Sequence, residues 1–522
     1  MSIAAGGEPP PADCKALAPL SRKGRERRES TTSDASDDQW LTDAMMEEGR
    51  QHFRPPAKHN HHSSHEGRKT CIGVCQMDWR QVLGSKAQHH VAHAKLHAAG
   101  KPEGHSVGSL EIEIEVLPQL PQVVNLDRVT SAATSEQACC EQSAQQAIRK
   151  AQDWWHGFCE RHLPAAGLHG RPVKLLALDE LGQQRPVTSF VHPLQLGRAL
   201  CSARAAARWV SLLRADSNDR TLPGISADDR WRYLHTVLAV GSASKAEKAL
   251  LLCNLLLGFG LDAWVCFGTD KLGEHYWVLT RSSHQAATFW EPSSGVRYCP
   301  KAAADSPGCP FLTLGSVFNH ERLCVNCQTS AAVADVNFRF EDQKQWRCFA
   351  PQPSHAPISN TTAFELQMTS IDSAAAEGQL EAELKLAFEA KREALLPGMG
   401  MRWDAPLSFL LMPLLVAYEQ EALTGAAAHG KDEAMGAVKR CIPPGWTFRG
   451  YPHQYRSQSS AYIAAVTLKE HAVMDMLAST CNDATFALRV NMVPYPEGVV
   501  CAWVMLAVKS QEPGMSKELQ ML

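Results

Sequence analysis

Residues 245–268 read KAEKALLLCNLLLGFGLDAWVCFG, and the fold turns on them. Leu251, Leu252, Leu255, Leu256 and Leu257 surround Cys253 on nearly every side of a helix, which marks a buried helix rather than an amphipathic one. Three short strand candidates then arrive in series: LDAWVCFG at 261–268, HYWVLT at 275–280 and AATFWEP at 286–292. A helix followed by a run of strands predicts an α+β domain.

The start of that helix, His275 on the second strand and Glu291 after the third make the layout used by cysteine-histidine-carboxylate sites. There a cysteine at a helix N-terminus is held as thiolate by the helix dipole and an adjacent imidazole, and a carboxylate orients the ring. The stretch resembles the transglutaminase-like, papain-like core, whose pattern is a cysteine-led helix, a His-x-Trp strand and a Trp-x-Asp-Pro strand. On that resemblance His275 matches the histidine, Trp277 its aromatic neighbour and Glu291 the aspartate, one methylene longer. The nucleophile position, fifteen residues before Gly260, falls on Lys245, with Ala249 in the small position.

A lysine there implies an inactive site. Its charge opposes the positive end of the helix dipole, and an ordinary pKa of about 10.4 leaves almost no free amine at neutral pH. Cys253 is a poor substitute, because eight residues along a helix is about 12 Å of rise and a thiol among leucines keeps a raised pKa. Lys245, His275 and Glu291 are therefore read as vestigial triad positions, with His275 and Glu291 expected to bond each other in the sheet. No catalytic residue is assigned. Trp264, Trp277 and Trp290 are expected in the core or as cross-strand pairs rather than as a ligand platform.

A chain of 522 residues is too long for one hydrophobic core. Lys and Arg total 52 against 55 Asp and Glu, and the net charge of −3 leaves no electrostatic footprint for nucleic acid. The opening MSIAAGGEPPPADCK lacks the apolar run of a secretory signal, which predicts a chain kept inside the cell. Its 17 cysteines are then expected as reduced, mostly buried thiols. Residues 249–268 and 407–418 are the most apolar. Asn254, Gly258, Gly260 and Asp262 break the first, the second contains Pro413 and is short of the roughly 20 residues a span needs, and both are read as core.

No metal or cofactor is expected. His59, His61, His62 and His65 have no cysteine or carboxylate scaffold beside them. Cys324 and Cys327 form a single CVNC half-site, with only His320 and Cys348 nearby at irregular spacing. Cys71 with Cys75, and Cys139 with Cys140, are weaker still.

Along the chain, residues 1–65 are polar, Pro-rich and charged, and are predicted as a disordered arm. Residues 66–120 carry SLEIEIEVL, in which Leu110, Ile112, Ile114 and Val116 alternate with glutamates and predict a half-buried strand. Residues 121–165 are a linker and then a helix. Residues 166–350 form the α+β domain, with a hairpin in VKLLALDELGQQRPVTSFVHPL and helices near 199–213 and 230–240. A Pro-rich linker at 351–360 leads to a C-terminal α+β domain at 361–522. It begins with an amphipathic helix bearing Leu380, Leu384 and Phe388 and closes in a hairpin around PYPEG.

A wider resemblance covers residues from about 70 to about 510. In order along the chain, RQVLG with SVGSLEIEIEVLP, KLLALDELGQQRPVTSFVHPLQLGRAL, LTLGSVFNHERLCVNCQ, GWTFRGYPHQY and VPYPEGVVCAWVMLAV resemble successive blocks of the centrosomal protein of 76 kDa family. The resemblance implies a multidomain α+β chain: a partial C2-type β-sandwich at 66–120, an inactive transglutaminase-like domain and a C-terminal α/β domain. It also implies a place at the centrosome, the centriole and the basal body, contacts with centriolar and centrosomal proteins, and restraint of centriole duplication. Calcium-dependent lipid docking is not expected, since Asp78 is the sole aspartate between 66 and 120. Two other readings stand beside it: a scaffold at the ciliary transition zone, where a related C2 and transglutaminase-like family works, and a cysteine peptidase or transglutaminase using an unrecognised thiol.

Overall fold

The computed structural model describes residues 73–511 apart from 85–88, 99–105, 118–123, 163–169, 217–229, 283–285, 301–307, 351–362 and a few single or paired positions. The expected N-terminal arm with its four histidines, Cys71, Asp78 and the Pro-rich linker lie outside the described residues.

The first part is a small antiparallel sheet of β1 (Gly73–Val74), β2 (His89–Ala98) and β3 (Ser106–Glu115) in that order. Register sets His93 opposite Glu111 and Ala94 opposite Leu110, so polar and apolar residues do separate to opposite faces. The burial expected of the apolar face is incomplete: Leu110 is 47% exposed, and Ile112 and Ile114 are only partly covered. Three strands with one short 3-10 turn beside them, Trp79–Gly84, have too little apolar surface to cover that face.

Where a linker and a shorter helix were expected, a single helix α1 (Leu126–His162) takes almost the whole stretch. Alanine and glutamine carry it, no proline interrupts it, and Asn125 caps it by accepting from the Asp127 amide at 2.9 Å. Only Ala151 and Phe158 are buried along it, and Trp154 near its end packs on Phe349.

The central domain opens with the expected hairpin, β4 (Leu176–Leu178) and β5 (Gln184–Pro186). Asp179 accepts from the amides of Leu181 and Gln183 to shape the turn. The second apolar run forms a 3-10 turn over Val187–Phe190 instead of extending the strand. There follow β6 (Gln195–Leu196), α2 (Ala203–Leu212), β7 (Arg214–Ala215), α3 (Leu234–Val240), β8 (Ser242–Ala243) and α4 (Lys245–Gly258).

The domain's main sheet contains β9 (Asp262–Asp270), β10 (Gly273–Arg281), β11 (Ala287–Trp290), β12 (Arg297–Tyr298), β13 (Thr313–Phe318), β14 (Leu323–Asn326) and β15 (Trp346–Phe349). Their order is β12-β11-β10-β9-β13-β14-β15. Both faces are buried. Val265, Phe267, Tyr276 and Val278 pack with α4, while Trp264, Cys266, Trp277, Leu279 and Phe289 form a second core on the other face. Gly268 is required where it stands, because a Cβ there would lie 2.0 Å from the Thr313 carbonyl oxygen and 2.5 Å from the Trp277 ring.

The expectation of reduced, mostly buried thiols fails twice: among the described free cysteines only Cys253, Cys266 and Cys501 are buried, the rest lying partly or fully exposed where their elements meet solvent, and one pair is not reduced. Register sets Cys324 directly opposite Cys348 on β14 and β15, and the two are joined as a disulfide. The bond withdraws Cys324 from any CVNC ligand set and leaves Cys327 free.

After β16 (Ala363–Phe364), which pairs parallel with β6, the C-terminal domain has α5 (Ser373–Leu395), α6 (Ala405–Thr424), α7 (Lys431–Arg440), β17 (Thr447–Tyr455), α8 (Ser460–Thr467), α9 (His471–Leu477), β18 (Thr485–Pro494) and β19 (Val500–Ser510). The β17-β19-β18 sheet is wholly antiparallel, which makes the domain α+β and corrects the α/β description in the sense of a parallel, alternating fold. Leu380, Leu384 and Phe388 of α5 pack on Phe486, Leu488 and Val490 as their spacing predicts.

Helix α6 departs from the reading of 407–418 as core. Leu407, Leu411, Leu414 and Leu415 are buried, but the opposite side of the same turns leaves Phe409 74% and Val416 40% exposed. The central and C-terminal domains are fastened by a buried cluster in which Arg208 makes a two-point ion pair with Glu419 at 2.6 and 3.0 Å. Tyr495 and Trp503 also donate to Glu419, and Gln454 accepts from Arg208.

Candidate functional site: a histidine-carboxylate pair without a nucleophile

Strand alternation and the β9–β10 turn set the geometry of the site. Gly273, with φ of 120°, lets the chain reverse after Asp270, and His275 follows two residues into β10. Glu291 directly follows β11, where its Oε1 accepts from the Ser293 amide at 2.9 Å and so fixes the carboxylate. The structure brings the two expected residues together: His275 Nε2 lies 2.6 Å from Glu291 Oε2.

The ring is 6% exposed and stacks with Trp277 and Phe311, whose own rings lie 4.3 Å apart and nearly parallel. His275 Nδ1 is buried and has no hydrogen-bond partner, and Asp270 Oδ2 stands 3.6 Å from it. Asp270 and Phe311 escaped the sequence reading; a position next to the turn preceding the histidine was the only available pointer to the first, and the second carried none.

The third expected residue is placed differently. Lys245 heads α4 and is exposed, after Ser244 caps the helix and Glu247 completes a capping box. Helix α4 packs against the face of Tyr276 and Val278, whereas His275 stacks with residues of the other face. The first turn of α4 has a second lysine that sequence reading passed over. Lys248 is 2% exposed and donates to the Leu213 carbonyl at 2.6 Å. Burial first, and then the charge of Arg456, pull its amine down to about 7 against the opposing pull of Glu291.

Two core thiols are closed to the imidazole, while half-buried Cys309, its thiol raised by burial, packs on the same cluster as Trp277 and Phe311. Cys253 is fully buried in the α4 core, and burial pushes its thiol well above the ordinary range. Cys266 sits opposite Trp277 in register on the histidine's face of the sheet, but it too is fully buried and raised for the same reason. All three tryptophans belong to the core: Trp290 donates to Thr280 at 2.9 Å, Trp264 to Asp262 at 2.6 Å, and Trp277 underlies His275. Among the described residues no group of three potential ligands could hold a metal ion, and no helix is long and apolar enough to cross a membrane.

A profile of the CEP76 peptidase-like domain matches residues 229–349, one of the CEP76 C2 domain matches 59–122, and one of the C-terminal domain of the centrosomal protein of 76 kDa matches 369–511. The centrosomal protein of 76 kDa of Homo sapiens is 31% identical over 85% of this chain and 69% of its own length. That of Danio rerio is 32% identical over 85% and 68%. Protein CC2D2B of Homo sapiens is 25% identical over 58% of this chain and 20% of its own. With three domain profiles in order and this identity over more than two thirds of its relatives, the chain belongs to the centrosomal protein of 76 kDa family.

Proposed function

We propose that the chain is a non-catalytic scaffold of the centrosome, acting at centrioles and basal bodies to limit centriole amplification through contacts with centriolar proteins. The observation that carries this reading is the His275–Glu291 pair: the ring's second nitrogen is buried and faces the Asp270 carboxylate at 3.6 Å, and Cys253 and Cys266 are sealed in the core. Lys245 stands where the family of cysteine sites has its nucleophile, and an exposed ammonium at a helix start performs no thiolate chemistry. Relatives named as centrosomal proteins support the location. Protein-protein contact is the mode of action this reading assigns, in keeping with the centrosomal names of its relatives.

Two fused reporters test it in one cell line. A fluorescent tag on the full-length chain should coincide with a centriolar marker, and proximity labelling from the same chain should enrich centriolar proteins. Diffuse fluorescence and unenriched labelling contradict the reading. A second reading, a scaffold at the ciliary transition zone, draws on the likeness to Protein CC2D2B and to the coiled-coil and C2 domain-containing protein 2A of Drosophila melanogaster. Those likenesses cover 58% and 36% of this chain against 85% for the centrosomal relatives. Super-resolution placement beyond the end of the centriole wall would favour it.

A further inference from the structure

The CVNC stretch, which the scaffold reading leaves unused, holds one half of a covalent fastening. We propose that Cys324 and Cys348 form a reversible thiol-disulfide site that fixes the edge strand β15 and, through it, the end of helix α1.

Several features converge on this pair. Among the described residues Cys348 belongs to a four-residue strand that pairs with β14 and ends the sheet, anchored at its start by buried Trp346, which donates to the Asn337 carbonyl at 2.7 Å. The next residue, Phe349, meets Trp154 of α1 at 5.4 Å, in the short portion of that helix that is buried at all. The 24-residue separation between the two cysteines encloses Val333, Val336, Phe338 and Phe340, which fill the core face behind β13 and β14. Opening the bond thus removes the covalent tie on the strand, the loop and the helix contact together, and leaves them held by the non-covalent packing of Trp346 and the loop's apolar residues.

Access is one-sided. Cys324 is fully buried, whereas Cys348 is partly exposed, so an incoming thiolate reaches the Cys348 sulfur first. Attack by glutathione thiolate there forms a mixed disulfide and breaks the Cys324–Cys348 bond, and Cys324 leaves as thiolate and takes a proton. A second glutathione attacks the outer sulfur of the mixed disulfide. Two protein thiols and one glutathione disulfide result, a two-electron exchange that runs backwards when glutathione disulfide is in excess. Cys253 and Cys266 are sealed in the core and stay outside this exchange, while half-buried Cys327 is the alternative partner to be tested.

The test is a glutathione redox titration of the full-length wild-type chain, read by differential alkylation with mass spectrometry and by amide hydrogen exchange. Peptides carrying Cys324 and Cys348 should gain label together with a two-electron slope, and exchange over 346–349 and 150–160 should rise by about tenfold across the same range while β18 and β19 stay constant. Cys327→Ser should leave the titration unchanged. Free thiols at both positions in fully oxidised glutathione, loss of the transition in the Cys327→Ser variant, or exchange that ignores the bond's opening would each overturn the proposal.

Discussion

His275 gives its Nε2 to Glu291 at 2.6 Å and leaves its buried Nδ1 without a hydrogen bond, 3.6 Å from the Asp270 carboxylate. In a working thiolate site the second nitrogen is the one that serves the nucleophile. Here the imidazole is held as firmly as a catalytic base would be, and the proposed reading gives it no nucleophile to activate.

That pair should therefore matter to stability and not to chemistry. Glu291→Ala leaves both ring nitrogens of a buried imidazole without a hydrogen-bond acceptor or donor, a loss of about 1–3 kcal/mol. Urea unfolding should show it, and thiol labelling of the folded chain should not change. A folded variant with unaltered stability would show that the contact is idle.

Lys248 should make stability depend on alkaline pH. The amine sits at about 7 in the folded chain against an ordinary 10.5, so between those values the unfolded chain binds a proton that the folded chain does not. For such a group stability rises with pH across that window, by at most about 1.4 kcal/mol per unit. Lys248→Met should be more stable than wild type at pH 7.5 and should flatten the slope between pH 7 and 10. A parallel pair of curves would contradict the buried neutral amine.

The Arg208–Glu419 cluster should fail in acid and on truncation. Burial pushes the Glu419 carboxyl up, but its bonds to Arg208, Tyr495 and Trp503 outweigh this and hold it below the ordinary 4.5. A depressed carboxyl contributes stability that is present above about 4.5 and disappears as pH falls through the folded value. Glu419→Ala, which leaves the Arg208 charge buried and unpaired, should cost about 3–5 kcal/mol and remove that part of the acid sensitivity.

On α6, exposed and buried apolar residues should part company. Leu411→Ala is expected to cost about 2–5 kcal/mol through a core cavity, while Phe409→Ser should fall within about 0.5 kcal/mol of wild type. Equal costs in thermal unfolding would mean that Phe409 is covered.

Period and composition were sufficient for what lies inside one element. The α4 leucines, the three strands after them, and Leu380 with Leu384 and Phe388 are where their spacing puts them. Failures came where the outcome rests on distant chain. Leu110 and Phe409 carry the right pattern, but burial needs a neighbour, and pattern does not say whether one arrives. Cys348 meets Cys324 because two strands align in one register, which spacing alone does not set. Lys248 was overlooked because a lysine is expected in water, and only the packing of α4 against Leu213 puts it inside. Of the candidate site, the His275–Glu291 pair was legible, whereas Asp270, Phe311 and the opposite-face position of α4 were not.

The central claim, action by contact and not by catalysis, is tested most directly by counting centrioles in cycling cells whose own protein has been replaced by this chain. Carried as His275→Gln, and expressed and localised like wild type, it should restore the same centriole number as the wild-type chain. Centriole excess with the variant at normal level and location would contradict the account.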